Sequence, residues 1–575
     1  MNRKYINLRI ILVGSLFLGC FGVISAKAVY LQLYRSPWLS QKAYDLCEKS
    51  WQATGKRGTI YDRHRHAMAV SIDVTSIAAY PAQIQDAPAT AKALAKVLNM
   101  RDKQIKRRLT SKKTFVWIKR QATPKETKAV KALGLEGVGF VPEHSRFYPN
   151  RTLAAQALGF TGLDGKGLEG LEFVYEEQLR GPQISFKVFK DALGNGFRAE
   201  QRRVASTQGH NIVLTIDRTI QFITESALQE AVTDASAHSG MAIVMAPQTG
   251  AVLALAHFPF FNPNTYADFD KASWRNRAIT DAFEPGSTLK VFSAAAAVES
   301  GKISRNSIFF CENGTYRVGR NVVHDHTPHG WLSLQQIIKY SSNIGAIKIG
   351  EQIGPQRLYE KLRGFGFGVT TGIDCPGETA GSLAHYSRWS HIDTGAISFG
   401  HGISVSAIQL ITALAAIAND GVLMQPYIVE AVVDQNGSPV ASFGPRKVRQ
   451  VISAQSAAIV KKMLRSVTQP GGTGVNAALD GYTVCGKTGT ARKIDGEGRY
   501  THTKHIASFI GFVPAENPAV AILVVIDEPQ HQPYGGVVAA PAFRQIAHET
   551  LNYLNVPPQK GSEQFKVSRE NEALG

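Results

Sequence analysis

Residues 284–300 of the chain read EPGSTLKVFSAAAAVES. Pro285 and Gly286 favour a turn, and the alanine-rich run after them predicts a helix, so Ser287 is expected near the start of that helix. Free backbone N–H groups and the helix dipole stabilise negative charge there. Lys290 follows three residues later on the same helical face. Because burial or a nearby cation can lower the pKa of a lysine, this stretch predicts a serine nucleophile with an adjacent base.

Two further short motifs follow in the chain. Ser341-Ser342-Asn343 lies inside an apolar helical pattern from Leu332 to Ile349, and Lys487-Thr488-Gly489-Thr490 follows a β-prone stretch. Ser-x-x-Lys occurs only at Ser287, whereas Ser-x-Asn also fits Ser304-Arg305-Asn306, where a hydroxyl in a polar turn can simply cap local structure. The order of the three motifs is similar to that of penicillin-binding proteins and serine β-lactamases.

The pattern of apolar residues from His210 onward predicts an α+β fold. Strand-like and helical segments alternate first, long apolar helices follow, and two strand-like segments come late in the chain. The segments are NIVLTID, MAIVMAP, AVLALA, ASFIGFV and AVAILVVI for strands, and Arg218–Val232, Ser287–Glu299, Ser406–Asn419 and Pro541–Leu554 for helices. This order predicts a sheet that is covered by helices and whose strands come from distant parts of the chain.

The N-terminus predicts a membrane anchor. Ile10 to Ala26 carries no charge, and the apolar stretch extends to Leu31, close to the ~20 residues that cross a bilayer. Basic residues before it (Arg3, Lys4 and Arg9) predict a cytoplasmic tail and a periplasmic remainder. The alternative is a cleaved signal peptide, because Ala26-Lys27-Ala28 has a small-x-small pattern.

Composition excludes several other classes of protein. The chain has 575 residues, 44% of them hydrophobic, and its mean hydropathy of −0.11 excludes a multi-span membrane protein. The net charge of +19 favours an anionic neighbour, but the basic segment Arg101–Lys128 lacks the repeated aromatic residues of a nucleic-acid surface, so no nucleic acid is expected. Five cysteines are too few for a disulfide scaffold, and whether Cys311 and Cys375 pair stays open.

Two other site hypotheses are weaker. Residues 481–488 satisfy the P-loop pattern, but residues 482–485 are β-prone, no helical period follows, and only 95 residues remain from Gly481 onward. His324, Asp325, His326 and His329 could bind zinc, but they lie in a predicted loop and serine acyl transfer needs no ion. Neither a metal nor a cofactor is therefore predicted.

Over nearly its whole length the chain resembles the class B penicillin-binding proteins, most closely the division-associated, FtsI-like group. Besides the three motifs, the resemblance rests on Arg57–Arg63 (RGTIYDR), Arg146–Pro149 (RFYP), Gly167–Glu172 (GLEGLE), Leu214–Asp217 (LTID), Phe399–Ile403 (FGHGI), Ala507–Phe512 (ASFIGF) and Tyr534–Gly536 (YGG). The chain departs from the family pattern at His64-Arg65, where Asn-Gly is usual, and at Cys485, where a small residue is common. The resemblance implies a peptidoglycan D,D-transpeptidase that β-lactams acylate.

The resemblance and the residue chemistry imply the same roles. Ser287 attacks the penultimate D-alanine carbonyl and Lys290 takes its proton, while Ser341 relays a proton to the leaving amine. Asn343 hydrogen-bonds Lys290 and the substrate amide. Lys487, Thr488 and Thr490, with Gly489 between them, bind the substrate carboxylate, and the backbone N–H groups of Ser287 and Thr490 form the oxyanion hole.

The expected organisation has five parts. They are a cytoplasmic tail (1–9), an anchor (10–31), an elongated mixed α/β pedestal of the penicillin-binding protein dimerisation type (32–209), a transpeptidase domain with a serine β-lactamase-like fold (210–556) and a disordered tail (557–575). The expected partners are stem peptides, β-lactams as inhibitors, an FtsW-type glycan polymerase and other division proteins.

Several alternatives of the same fold stay open. An elongation-type transpeptidase or a D,D-carboxypeptidase has the same motifs, and a non-catalytic division scaffold would retain the pedestal. A class A β-lactamase is disfavoured, because its Glu-x-x-Leu-Asn motif lies between the second and third catalytic motifs. Here the only similar string is Glu549–Asn552, after the third motif.

Overall fold

The computed structural model describes residues 3–190, 196–197, 208–319, 321–494 and 499–558. The chain forms two compact units, one from Met1–Lys56 with Gly181–Gln208, the other from Arg57–Arg180 with Gly209–Gly575. The predicted disordered tail lies outside the described residues from residue 559 onward.

The helices and strands are numbered in chain order. The helices are α1 (Arg3–Val29), α2 (Ser36–Cys47), α3 (Ala87–Leu98), α4 (Asp102–Leu109), α5 (Pro124–Ala132), α6 (Ala155–Leu158), α7 (Gly170–Val174), α8 (Glu176–Leu179), α9 (Arg218–Asp234), α10 (Arg277–Thr280), α11 (Lys290–Glu299), α12 (Leu334–Tyr340), α13 (Asn343–Ile353), α14 (Pro355–Gly364), α15 (His391–Ser398), α16 (Ala407–Ala418), α17 (Ala454–Val467), α18 (Gly535–Val538) and α19 (Ala540–Tyr553). The strands are β1 (Glu48–Thr54), β2 (Ile60–Tyr61), β3 (Ala67–Ala79), β4 (Val116–Ala122), β5 (Val138–Phe147), β6 (Gln183–Lys190), β7 (Gly196–Phe197), β8 (Asn211–Leu214), β9 (Ser239–Met245), β10 (Val252–Phe258), β11 (Ile308–Phe310), β12 (Thr315–Val318), β13 (Asn321–His324), β14 (Trp331–Ser333), β15 (Val422–Met424), β16 (Val429–Val433), β17 (Pro439–Ser442), β18 (Lys447–Gln450), β19 (Cys485–Ile494), β20 (Tyr500–Val513) and β21 (Val520–Asp527).

The first unit contains the predicted anchor. Residues Lys4–Tyr34 form a helical stretch with a mean hydropathy of 2.1, long and apolar enough to cross a membrane by length and composition. It includes the predicted span 10–31. Further along, β1 pairs with β6 in an antiparallel ladder from Glu48↔Phe189 to Thr54↔Gln183.

The second unit contains a five-stranded sheet in the order β10-β9-β21-β20-β19, antiparallel throughout. Helices α9 and α19 pack on one face, and α16 packs on the other. All 12 residues of α16 are buried, and all of them except Gln409 and Thr412 are apolar, as expected for a core helix. This arrangement confirms the predicted α+β fold with a sheet covered by helices, and it leaves β19 as an edge strand.

A second sheet, in the order β17-β16-β8-β2-β3-β4 with β5 on β3, lies in the same unit. Its strands β2 and β8 pair in parallel at Ile60↔Ile212. Strands from both sides of the predicted boundary at 209/210 therefore share one sheet. The functional boundary between pedestal and transpeptidase domain stays a prediction.

A buried charge cluster holds together the segments before this boundary. Glu172, with no solvent exposure, accepts hydrogen bonds from Arg57 Nε (2.6 Å) and Arg146 Nε (2.6 Å). Arg57 Nη1 also donates to Glu176 (2.5 Å). Since an unpaired buried charge is strongly unfavourable, these pairs fix α7 and α8 against β5 and the chain before β2.

Two expectations about local structure were wrong. The helical pattern from Leu332 to Ile349 is two helices, because Ser341 adopts left-handed backbone angles (φ 61°, ψ 38°) that end α12 before α13 begins. The strand expected at residues 482–485 starts only at Cys485, so the Lys-Thr-Gly motif lies inside β19 instead of after a strand. A strand at this position has neither the loop nor the following helix of a P-loop.

Candidate active site

The first motif lies in a tight turn that leads into α11. Residues Gly286–Leu289 form one 3₁₀ turn, and the α-helix begins at Lys290. Gly286 has a φ of +53°, and a side chain there would lie 2.8 Å from the carbonyl oxygen of Thr490. Glycine therefore lets this turn lie directly against β19. Ser287 is partly exposed, whereas Lys290 is only 1% exposed.

The second motif lies at the break between α12 and α13. The Ser342 hydroxyl caps α13 by accepting from Gly345 N (2.9 Å). The Asp325 carboxylate accepts from the backbone N–H groups of Asn343 (2.5 Å) and Ile344 (3.0 Å) and from the Ser342 hydroxyl (2.5 Å). Asp325 thus satisfies free N–H groups at the start of α13 and fixes the position of Asn343.

The third motif lies on the edge strand β19. Lys487 has no solvent exposure, although it pairs across the sheet with Ile510 near the edge. Gly489 lies where a side chain would meet Thr288 Cγ2 at 2.8 Å, so β19 packs closely against the first motif. The Thr488 hydroxyl is 2.9 Å from the Thr473 hydroxyl, and the Thr490 hydroxyl accepts weakly from Gly535 N (3.4 Å).

The three motifs converge on one hydroxyl group. Lys290 Nζ donates to Asn343 Oδ1 (2.7 Å) and to the Ser341 carbonyl oxygen (2.6 Å), and it lies 3.3 Å from Ser341 Oγ. Lys487 Nζ lies 2.9 Å from the same Ser341 Oγ. Ser341 therefore bridges two buried amines, and Ser287 lies one turn before Lys290. The structure brings all the residues predicted from the motifs to one place.

Burial decides the charge state of both amines. It lowers the pKa of Lys290 to about 7, although the negative charge of Asp325 acts in the opposite direction. Burial, with the nearby charge of Lys290, lowers the pKa of Lys487 well below its usual value. A lysine with a pKa near neutrality can accept a proton at neutral pH, which an ordinary lysine cannot.

One flank of the site contains His401, Glu284 and Tyr500, to which the sequence analysis assigned no individual role. The His401 side chain is mostly buried, its Nδ1 has no described partner, and burial next to Lys290 lowers its pKa to about 4. Nearby, Glu284 accepts hydrogen bonds from Gly402 N (2.8 Å) and from the Tyr500 hydroxyl (3.0 Å). These contacts join the turn before Ser287 to the loop around His401 and to the start of β20.

Asp325 is the functional residue whose role the sequence analysis missed. It was considered only as a metal ligand together with the histidines around it. Among the described residues, no group of three or more His, Cys, Asp or Glu side chains is placed to hold a metal ion. Local sequence gave no sign of the capping role, because Asp325 precedes the helix that it caps by 18 residues.

The cysteines make no disulfide within the described part of the chain. Cys311 and Cys375 are both free and buried. Cys485 is fully buried at the start of β19, and its thiol lies 3.2 Å from the Lys461 carbonyl oxygen. Cys485, the residue at which the chain departs from the family pattern, therefore fills space in the core under the third motif. Its thiol makes no contact with the Lys290 or Lys487 amine among the described interactions.

Comparison with known proteins identifies the family to which the chain belongs. Residues 240–548 match the family described as penicillin binding protein transpeptidase domain, and residues 52–214 match the penicillin-binding protein dimerisation domain. The chain is 37% identical over 546 residues to the probable peptidoglycan D,D-transpeptidase PenA of Neisseria meningitidis, covering 94% of this chain and 92% of that protein. It is 33% identical over 565 residues to the peptidoglycan D,D-transpeptidase FtsI of Escherichia coli K12, covering 97% and 94%.

A solved structure agrees with this result. Penicillin binding protein 3 of Mycobacterium tuberculosis, in complex with aztreonam, superposes with a TM-score of 0.69 and 29% identity, over 89% of this chain and 100% of that one. With the anchor-like helix, the α+β fold and the convergence of the three motifs already established, the chain belongs to the class B penicillin-binding proteins, as an FtsI-type peptidoglycan D,D-transpeptidase.

Proposed function

We propose that the chain cross-links peptidoglycan stem peptides during cell division through an acyl-enzyme on Ser287, and that β-lactams acylate the same residue. The observation that carries this proposal is the convergence of two buried amines on the Ser341 hydroxyl. One belongs to Lys487 and the other to Lys290, which follows Ser287 by three residues. A buried amine beside a partly exposed serine at the start of a helix is the arrangement that serine acyl transfer requires.

In the acylation step, the Ser287 oxygen attacks the carbonyl carbon of the penultimate D-alanine and its proton passes to the neutral Lys290 amine. The carbon–oxygen bond forms and the carbon–nitrogen bond to the last D-alanine breaks. Ser341 donates its hydroxyl proton to the leaving amine and takes in its place the proton that Lys290 received, since Lys290 Nζ lies 3.3 Å from Ser341 Oγ. The N–H groups of Ser287 and Thr490 are proposed to hold the oxyanion, which is typically worth ~3 kcal/mol per donor. The amine of a second stem peptide then attacks the acyl-enzyme and releases Ser287.

Lys487 and the threonines of β19 are proposed to bind the terminal carboxylate of the donor peptide. Without a counter-ion, burial disfavours the charged form of Lys487. A substrate carboxylate beside it supplies that counter-ion and restores the ammonium form. This coupling favours substrates that end in a free carboxylate, which is also the group that β-lactams carry.

Other proposals concern location and partners. The basic residues before the apolar helix support a cytoplasmic N-terminus and a periplasmic catalytic unit, anchored in the cytoplasmic membrane. Residues 32–209 are proposed to act as a pedestal that meets an FtsW-type glycan polymerase and other division proteins. This part of the proposal rests on the FtsI-type resemblance.

Intact mass spectrometry after exposure to penicillin tests the function. The parent chain is expected to gain one stable penicilloyl adduct, and Ser287→Ala is expected to gain none. An unmodified parent would support the scaffold alternative, and rapid loss of the adduct with drug turnover would support a β-lactamase. Incubation with a stem pentapeptide and an acceptor amine separates a transpeptidase, which forms the cross-linked product, from a carboxypeptidase, which only releases D-alanine.

A further inference from the structure

A cavity of about 420 Å³ lies beside α9, in the second unit. Arg218, Phe222 and Glu225 of α9 line it, together with Leu153 and Phe260. Helix α9 packs on β9 and β10. Because β10 and the catalytic strand β19 are opposite edges of the five-stranded sheet, about 19 Å of sheet separates them. The cavity is therefore distinct from the candidate active site.

Glu225 is a buried carboxylate without a cationic partner among the described residues. Its residue exposure is 6%, and its Oε1 accepts from Ala154 N (2.8 Å) and Gln221 Nε2 (2.8 Å). No described residue donates to Oε2, although the side chain lines the cavity. Burial without a counter-ion raises the pKa of Glu225 to about 7, even though both hydrogen bonds favour the charged form.

A purely structural role explains one of the two carboxylate oxygens of Glu225, Oε1, but not the other, Oε2. Oε1 satisfies the backbone N–H of Ala154, which has no helical acceptor because Ala154 immediately precedes α6. A glutamine could make the same bond without a buried charge. The second carboxylate oxygen, next to open space, is the part that this role leaves unexplained, and a buried carboxylate stays charged most easily when a cation reaches it.

The walls of the cavity suit a cation carried on an alkyl chain. Phe222, in the second turn of α9, is 63% exposed, and Phe260 provides a second aromatic ring. Aromatic faces attract ammonium groups and pack against methylene groups. Arg218 is seven residues before Glu225, so the two positions are about 10.5 Å apart along the helix axis. The Arg218 guanidinium therefore does not occupy the place at Glu225 that a ligand cation would take.

We propose that this cavity binds a primary ammonium group on an alkyl chain, as in a lysine side chain of a peptide ligand, with Glu225 Oε2 as the acceptor and Phe222 packed on the methylenes. The site goes beyond the acyl-transfer function and does not depend on it. A ligand there would contact the segment around Ala154 and α9 together.

Saturation-transfer NMR with the full chain in detergent micelles tests the proposal. The probe is Nα-acetyl-L-lysine methylamide, and its neutral analogue is Nα,Nε-diacetyl-L-lysine methylamide. The parent is expected to bind the probe saturably and the analogue at least tenfold more weakly, because a charge-assisted hydrogen bond is lost. Both ligands are compared on the parent chain, so the result does not depend on whether a variant folds. Absence of saturable binding, or equal binding of the neutral analogue, overturns the proposal.

Matched variants then locate the site. Glu225→Gln keeps both Oε1 hydrogen bonds and is expected to weaken probe binding at least tenfold, whereas Glu230→Gln, an exposed residue of the same helix outside the cavity lining, is expected to change nothing. Arg218→Gln is expected to leave or slightly strengthen binding. Penicillin acylation at the parent rate establishes that each variant is folded. Unchanged binding in folded Glu225→Gln overturns the proposal.

Discussion

Lys290 and Lys487 are two buried amines that share the hydroxyl of Ser341. Lys290 Nζ lies 3.3 Å and Lys487 Nζ lies 2.9 Å from this hydroxyl oxygen. Two ammonium groups this close together in a buried site repel each other, so the state in which both amines are protonated is unfavourable. The neutral form of Lys290 is therefore populated at neutral pH, and that form is the one that can take a proton from Ser287. The protonation state of Lys290 thus depends on its burial as well as on its residue type.

The first prediction concerns the pH dependence of acylation. Since the protonated Lys290 amine cannot accept a proton, the second-order rate of penicillin acylation is expected to rise about tenfold per pH unit up to about pH 7 and to level off above it. Stopped-flow or quenched mass spectrometry measures this rate. Lys290→Arg, which keeps the charge but cannot lose it, is expected to abolish acylation. A rate that stays constant from about pH 6 to about pH 8 would contradict the assignment of Lys290 as the base.

Asp325 provides a second prediction. Asp325→Asn removes the charge that opposes the lowering of the Lys290 pKa, so the midpoint of the acylation profile is expected to move to lower pH. The charge-assisted bonds to Ser342, Asn343 and Ile344 become neutral ones, and the free energy of unfolding is expected to fall by about 1–2 kcal/mol.

The control for this prediction is Asp480→Asn, which removes the same charge from a fully exposed side chain. The control is expected to leave both the profile and the unfolding free energy unchanged. A midpoint that moves to higher pH in Asp325→Asn would rule out the electrostatic role of Asp325.

Among the secondary-structure elements, the break between α12 and α13 matters most for the site. A continuous helix would carry Ser341 and Asn343 on different faces, since a step of two residues along a helix rotates the side-chain direction by about 200°. The left-handed Ser341 and the new helix start at Asn343 instead let both side chains contact Lys290. The left-handed backbone conformation of Ser341 therefore brings the side chains of the second motif together at Lys290.

The ion pairs of Glu172 hold α7 against β5 and against the chain before β2. Glu172→Gln leaves Arg57 and Arg146 buried without their shared carboxylate, and it is expected to lower the free energy of unfolding by about 3–5 kcal/mol. Burial acts to raise the pKa of Glu172, but the charges of Arg146 and Arg57 outweigh it and the pKa is lowered. The stabilisation is therefore present above the unfolded-state pKa and is lost as the pH falls through the lower folded-state pKa.

Urea unfolding of the parent and the variant at neutral and acidic pH measures this effect, and the difference between them is expected to shrink in acid. Glu169→Gln, an exposed neighbour in the same segment, is the control and is expected to change stability by less than about 0.5 kcal/mol. A difference that grows in acid would contradict the ion-pair explanation.

Over the whole molecule, the anchor and the catalytic machinery occupy different compact units. The apolar helix Lys4–Tyr34 belongs to the first unit, and the residues of the three motifs belong to the second. The second unit also contains both sheets, so the segment Arg57–Arg180 is part of the same folded body as the candidate active site. We therefore expect that catalysis does not require the anchor.

Deletion of residues 1–31 tests this separation. The truncated chain is expected to leave the membrane fraction on centrifugation and to keep the penicillin acylation rate of the full chain within about twofold, because it retains every motif residue and the sheets around them. Full-length protein in detergent is the control. A truncated chain that is soluble and folded but not acylated would show that the anchor takes part in forming the site.

Much of this protein could be predicted from sequence because the signals are local. The three motifs, the apolar N-terminal run and the strand patterns at MAIVMAP, ASFIGFV and AVAILVVI each depend on a few adjacent residues. The α+β fold with a helix-covered sheet follows from them and is confirmed. The helix break at Ser341 was missed because the apolar pattern continues across it, and a polar serine pair does not by itself end a helix.

The amino-acid sequence was enough to predict a nucleophile, its base and their partners, since residue types at fixed spacing are typical of that chemistry. Three features are visible only in the folded chain: Asp325 caps α13, Ser341 bridges two amines, and strands from both sides of residue 209 share a sheet. These features depend on contacts between segments tens to hundreds of residues apart. The lowered pKa that would allow Lys290 to act as a base belongs with them, because burial is created by the surrounding fold and cannot be read from the lysine or its neighbours in sequence.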